Sequence, residues 1–170
     1  DLIYFLREQK KSHSVHLSFW AVFEPEDLSE DEFEMRMWTE LSYLTSAEDR
    51  DKDWKPGSVS DPTNPSFRFS LEGTELFVVG LHSNSSRLAR VFNRPALIFN
   101  SFDQFETLQR QGQYDSMVAM NRKRDRKFQG SVNPMTEKHG ETWESIQFSG
   151  KNNPDQWTCP FSFLMKAFKK

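Results

Sequence analysis

The spacing of apolar residues predicts a helix, a strand and a second helix at the start of the chain. Residues 1–10 suit a short helix with their leucine, isoleucine and phenylalanine side chains on one side. Residues 15–23, VHLSFWAVF, form a compact β-branched and aromatic run that is typical of a strand. Ser29 and Glu32 have the spacing of a capping box. The apolar residues that follow recur at the helical period: Phe33, Met37, Trp38, Leu41 and Leu44.

The middle of the chain predicts a loop and then a hairpin. Residues 47–65 are rich in Asp, Pro and Ser and have no period, and because long loops are often functional we expect this one to cover a pocket. Residues 67–81, FRFSLEGTELFVVGL, predict two strands joined by a tight turn at Glu72-Gly73. Residues 96–100, ALIFN, predict a further strand.

The last part of the pattern predicts two helices and one more strand. Ser101 and Gln104 have the spacing of a second capping box, and Gly112 is expected to close the helix that they begin. Residues 114–126 predict another helix, and WESIQF, residues 143–148, predicts a strand. This order favours an α+β fold, with a mainly antiparallel sheet and packed helices, in a single domain of residues 1–170.

Composition and charge narrow the class of protein. The chain has 170 residues, and aromatic residues make up 14% of them, which suits a core or a pocket built from flat rings. A formal net charge of -3 argues against binding nucleic acid through a general basic field. A single cysteine excludes an intramolecular disulfide, and no apolar run approaches the roughly 18 residues of a membrane span. We therefore expect a cytoplasmic protein that binds neither nucleic acid nor a membrane.

Residues 80–91, GLHSNSSRLARV, concentrate more candidate chemistry than any other short stretch. His82 follows an apolar strand and is a candidate metal ligand, although a hydrogen-bonded structural histidine is the commoner case. Arg87 and Arg90 share one face if this segment begins a helix, and such a pair binds carboxylates or phosphates or lies on the surface as a solvated pair.

The remaining candidates are a cysteine and a basic run. Cys159, in WTCPF, is either a thiolate ligand or a small buried apolar residue. Four scattered histidines and one cysteine do not form the cluster that zinc requires, whereas haem needs only one protein ligand. The run NRKRDRK, residues 121–127, is interpreted as a solvated helix end.

Several segments of the chain resemble one known family. They are DPTNPSFRFS, ELFVVGLHSNSSRLAR, RPALIFNSFDQFETLQRQGQYDSM, NRKRDRKFQGSVNPM, QFSGK and WTCPF, and they follow the order and spacing of that family. The part of the chain from Trp38 to Phe161 thus resembles the YqcI/YcgG family, particularly its guanitoxin-biosynthesis branch of haem-dependent N-hydroxylases.

The resemblance implies a haem-dependent monooxygenase. Its substrate would be a guanidine-bearing amino acid such as arginine or a cyclised derivative, and it would use O2 and an external electron donor or reductase. By position, His82 would be the axial iron ligand, Arg87 and Arg90 would pair with the haem propionates, and Cys159 would be a second candidate contact to the cofactor. A carboxylate would hold the cationic substrate, with Asp103, Glu106 and Glu144 as candidates.

The chain departs from the family pattern at several positions. Phe102 stands where the pattern has histidine, and Phe148 and Lys151 replace a tyrosine and an arginine, which would alter how a substrate is oriented. His139 stands at a typically apolar position. The family's upstream FPC motif is absent before Asp1, so we expect the domain to lack an N-terminal segment.

Two other functions and a homodimeric assembly stay open. One alternative is a non-catalytic protein that binds or senses haem or another small ligand. The other is a relative in fold alone, which binds no cofactor and acts through protein contacts.

Overall fold

A computed structural model describes residues 1–12, 14, 16–45, 54–133, 143–154 and 156–167. These ranges form a four-stranded sheet and five α-helices, which confirms the predicted α+β class. The helices are α1 (Leu2–Gln9), α2 (Glu30–Leu44), α3 (Phe102–Arg110), α4 (Tyr114–Gln129) and α5 (Phe161–Ala167). The strands are β1 (Ser18–Val22), β2 (Phe69–Leu71), β3 (Thr74–Leu81) and β4 (Ala96–Ser101), and short 3₁₀ helices span Leu88–Arg90 and Glu144–Gln147.

Every pairing in the sheet is antiparallel, in the order β1-β4-β3-β2. The register places Trp20 opposite Ile98 and Ile98 opposite Val79, so these three side chains share one face. Neighbouring residues along each strand point to the other face. The two faces of the sheet are covered very differently, and this difference creates the site described below.

One face of the sheet carries the hydrophobic core. Leu76, Val78 and Phe99 lie on this face and have almost no solvent exposure. The capping box of Ser29 and Glu32 starts α2 as predicted, and α2 contributes the apolar stripe that joins the core. Burying each such side chain contributes about 1.5–3 kcal/mol to the stability of the fold. The stripe consists of Phe33, Met37, Trp38 and Leu41.

The opposite face is covered by α3 and α4. Phe77 of β3 contacts Phe102 and Phe105 of α3 edge to face, with ring centroids 6.0 Å apart in both pairs. However, Phe77 and Val79 are only half-buried although β3 is a central strand. A central strand with half-buried apolar side chains indicates that this face is not fully packed.

The predicted hairpin is confirmed in detail. Glu72 and Gly73 have φ angles of 50° and 66°, and Leu71 pairs with Thr74 across the turn. Two successive positive φ angles define the type I′ turn, whose twist matches that of the flanking strands.

The predicted strand at residues 143–148 is wrong. Residues 144–147 form a 3₁₀ helix, and the backbone carbonyls of Gln147 and Phe148 accept hydrogen bonds from the Arg90 guanidinium at 3.1 and 3.2 Å. Phe148 also accepts one backbone bond from Gly80, at 2.7 Å. Because a side chain takes the acceptors that a strand would offer to its neighbour, no ladder forms.

Two local predictions also need correction. Ser101 caps α3 by accepting from the Asp103 amide at 3.2 Å, but Gln104 donates to the Leu17 carbonyl at 2.5 Å instead of completing a capping box. The SSRLAR segment forms one 3₁₀ turn rather than the start of an α-helix.

Candidate functional site

A cavity of about 850 Å³ lies between α4 and the sheet. This volume is in the range of small-molecule sites, which is roughly 300–1,000 Å³. Its floor is the half-buried face of β3, and its sides come from α3 and the two 3₁₀ helices. Aromatic rings form much of its apolar surface: Phe77, Phe102, Phe105, Tyr114 and Phe128.

Helix α4 forms the roof of the cavity without burying any of its 16 residues. Its half-buried residues recur at helical spacing, so they lie on the side that faces the cavity. The helix is held at its end, where the Gln129 side chain donates to the Ser86 carbonyl and accepts from the Leu88 amide, both at 2.8 Å. The residues on its inner side are Tyr114, Met117, Val118, Arg122 and Asp125.

Arg87 lies in the cavity wall and is buried. Its Nη2 atom donates to Oδ2 of Asp125 at 2.5 Å, which links the loop after β3 to α4. The same nitrogen lies 3.5 Å from the Ser131 carbonyl. Asp125 also accepts from the Asn133 amide at 2.7 Å, so this carboxylate is fixed from two directions.

Arg90 lies in the same wall, and its contacts are to neutral groups. Its Nη1 donates to the carbonyls of Gly80 and Phe148 at 3.1 and 3.2 Å, and its Nη2 donates to Gln147 at 3.1 Å. Burial, together with the neighbouring Arg87, lowers the pKa of Arg90 to about 10, so the group is still cationic at neutral pH. The two arginines are thus brought together at one cavity, while their pairing with haem propionates stays a prediction.

His82 lies outside the cavity wall. It follows β3 on the side of Val78 and Gly80, is 1% exposed, and stacks on the Phe33 ring with centroids 4.3 Å apart and an interplanar angle of 14°. Its Nδ1 atom has no hydrogen-bond partner among the described residues. Burial lowers the pKa of His82, opposed in part by the Glu30 carboxylate and the Leu28 carbonyl.

Cys159 is buried in the hydrophobic core and is not part of the cavity wall. Burial raises the pKa of its thiol to about 12. The group is therefore a neutral thiol at physiological pH, which is the form that neither binds a metal nor attacks an electrophile. Its surroundings are those of a small apolar core residue.

The residues present do not fit a haem held through His82 or Cys159. An axial ligand must offer its donor atom to an iron in an open space, but His82 is 1% exposed and outside the cavity wall, and Cys159 is enclosed by the core. Phe102, where the resemblance leads us to expect a histidine, does lie in the cavity wall. Its apolar ring supplies no donor atom at that position.

The structure ranks the three carboxylates that were proposed to hold a cationic substrate. Glu144 is buried, lines the cavity and has its Oε1 atom 4.0 Å from Nη2 of Arg68. Asp103 is exposed and forms an ion pair with Lys55 at 3.1 Å, and Glu106 is also exposed. Burial, followed by the Glu144 and Asp115 carboxylates, raises the pKa of the Tyr114 phenol. Glu144 is therefore the candidate whose charge acts inside the cavity.

The remaining residues that the sequence singles out lie away from the cavity or outside the described ranges. Phe148 is in the core, and Lys151 pairs with Asp31 of α2 at 2.5 Å. His139 lies outside the described residues. So do residues 46–53 of the predicted covering loop, and residues 54–65 contribute nothing to the cavity wall.

Sequence reasoning missed the contribution of α4 to the site. Most of the basic run at residues 121–127 is exposed, as expected for a solvated helix end, but Arg122, Arg124 and Asp125 also line the cavity. Helical spacing of Tyr114, Val118 and Arg122 was the available signal, since residues four apart lie on the same side of a helix.

No helix in the described ranges combines the length and apolar character needed to cross a membrane. Within the same ranges, no three histidine, cysteine, aspartate or glutamate residues gather in a way that suits a metal ion. No curated protein and no solved structure matches the chain. The model of one protein family matches residues 1–162, and the chain therefore belongs to the YqcI/YcgG family.

Proposed function

We propose that this chain binds a small organic molecule with a flat part in the cavity beneath α4. The observation that carries this proposal is the incomplete packing between α4 and the sheet. Helix α4 has no buried residue, and the side chains of Phe77 and Val79 beneath it are half-buried on a central strand. The opposite face of the same strand is fully buried at Leu76 and Val78.

Binding in this cavity is favourable because the ligand removes apolar surface from water. Removing apolar surface from water contributes about 25 cal/mol per Å², and native interiors rarely leave large gaps between apolar walls. A flat ligand between Phe77 on the sheet and Met117 and Val118 on α4 would remove the exposed surface of both walls at once. A mainly apolar lining with a few polar groups to fix the orientation is typical of small-molecule sites.

The polar groups of the wall favour a guanidine-bearing amino acid as the ligand class. Such a molecule, arginine or a cyclised derivative, is what the resemblance to the guanitoxin-biosynthesis branch implies. Its planar cation suits the buried carboxylate of Glu144. Haem-dependent N-hydroxylation of this ligand stays a prediction, and we assign no reaction step to a haem because neither predicted ligand atom reaches the cavity.

The proposal is tested with the neutral fluorescent probe N-phenyl-1-naphthylamine, which brightens in apolar surroundings. We expect saturable binding to the wild-type protein. Val118→Trp fills the cavity from α4 and should reduce the affinity at least tenfold, which corresponds to about 1.4 kcal/mol.

The matched control is Met120→Trp, since Met120 is exposed on the same helix and lies outside the cavity wall. This variant should bind the probe as the wild type does. Equal binding by all three proteins, or no binding by the wild type, would show that the cavity is not a ligand site.

A further inference from the structure

One end of the cavity carries more positive charge than the described protein groups neutralise. Arg87 and Arg90 lie side by side in the wall, close enough for each to affect the other's electrostatics. Arg87 pairs with Asp125, whereas the hydrogen bonds of Arg90 go to three neutral carbonyls. Two guanidinium groups therefore share a single carboxylate in the described part of the chain, which leaves one positive charge in excess.

Arg87 also has donors that the described residues leave unused. A guanidinium has five N–H groups, and only Nη2 of Arg87 has acceptors in the described ranges. The residue is only 6% exposed, but its other side-chain nitrogens are not fully buried and keep some accessible surface. A ligand that supplies oxygen acceptors to these donors would form charge-assisted hydrogen bonds, which are stronger than bonds between neutral groups.

We propose that Arg87, supported by Arg90, is the binding site for a monoanionic group of the ligand, such as a carboxylate. The inference rests on the proposed function, because the ligand must enter the cavity to reach it. A monoanion matches the excess of one positive charge, and its two oxygens match the forked donors of a guanidinium. Asp125 competes with the ligand for Arg87, so this ion pair sets the affinity for the anion.

Two probes with the same ring system separate this site from the cavity as a whole. The anionic probe is 8-anilinonaphthalene-1-sulfonate, and the neutral probe N-phenyl-1-naphthylamine lacks the sulfonate. Arg87→Gln should raise the dissociation constant of the anionic probe about tenfold or more, as loss of a charge-assisted hydrogen bond does. The affinity for the neutral probe should fall by a much smaller factor than the affinity for the anionic probe.

A second variant has the opposite expected effect, so the test does not depend on the stability of the first. Asp125→Asn frees Arg87 from its carboxylate partner and should tighten the binding of the anionic probe by a larger factor than it changes the binding of the neutral probe. Arg126→Gln is the matched control, since Arg126 is exposed on α4 and outside the cavity wall. It should leave the affinity for both probes unchanged.

The outcomes distinguish the two proposals. If the wild type binds neither probe, the cavity is not a ligand site and the anion site fails with it. If the neutral probe binds in the cavity but Arg87→Gln and Asp125→Asn leave the affinity for the anionic probe unchanged, the proposed function stands and the anion site is wrong.

Discussion

At the scale of single residues, the fold separates side chains that the sequence places together. His82, Arg87 and Arg90 lie within nine positions, yet the histidine faces Phe33 and the arginines face the cavity. Strand alternation predicts that His82 shares a side with Gly80 and Val78. It does not say which side is the core, because the strand ELFVVGL is apolar at successive positions on both faces.

Because His82 is buried, we expect the free energy of unfolding to fall on acidification. Burial lowers the pKa of His82 below its ordinary value of 6.5, so the unfolded chain binds a proton more readily than the folded protein does. The contribution to stability is therefore fully present above pH 6.5 and is lost as the pH falls from there towards the lower folded pKa. Urea unfolding at pH 7.5 and 5.5 should show a smaller fall in the free energy of unfolding for His82→Gln than for the wild type.

The same variant separates a structural role from a role as an iron ligand. In protein treated with hemin, the Soret absorbance of His82→Gln should equal that of the wild type if the imidazole is a core residue. A band that His82→Gln loses would restore His82 as an axial ligand. Equal pH dependence in the two proteins would instead show that the buried imidazole does not titrate as we describe.

At the scale of elements, the approach of α2 to the sheet depends on a residue without a side chain. A Cβ atom at Gly80 would lie 2.6 Å from Cε1 and 2.9 Å from Cζ of Phe33. It would also lie 3.0 Å from the Phe148 carbonyl oxygen. Gly80→Ala should therefore lower the free energy of unfolding by about 1–3 kcal/mol, the usual cost of overpacking, as measured by urea denaturation.

The Phe33 ring, which lies against Gly80, supplies the control for Gly80→Ala. Phe33→Leu removes the ring edge, so Gly80→Ala should cost less in the Phe33→Leu background than in the wild type. The same cost in both backgrounds, or a gain in stability from Gly80→Ala alone, would contradict the close packing of α2 against β3.

Most elements could be predicted from local pattern, and the failures have a physical cause. The helix that begins after Ser29 and the hairpin at Glu72-Gly73 are set by neighbouring residues, through a capping box and a type I′ turn. Residues 143–148 have a strand-like composition, but Arg90 takes their carbonyls from more than fifty positions away. Contacts over such a separation leave no periodic signal in either segment.

At the scale of the whole molecule, the site arises from unequal packing on the two faces of one sheet. Composition predicts enough aromatic residues for a core or a pocket, and the structure divides them between both. Helices α2 and α4 both carry helical patterns of apolar residues, but only α2 is buried. The distance between α4 and the sheet depends on α3 and on the loop held by Arg87 and Gln129. Neither contribution can be predicted from the apolar pattern of α4 alone.

The most direct test of the central claim is amide hydrogen exchange with and without 8-anilinonaphthalene-1-sulfonate. We expect the probe to slow exchange in residues 114–129 and 86–90 by a larger factor than in the core strand β3, because the ligand fills the space under α4 and suppresses its local opening. The competing apolar surface is the Trp20–Phe92 pair, with Trp20 52% exposed. Protection around that pair with none in α4 would show that the cavity is not the ligand site.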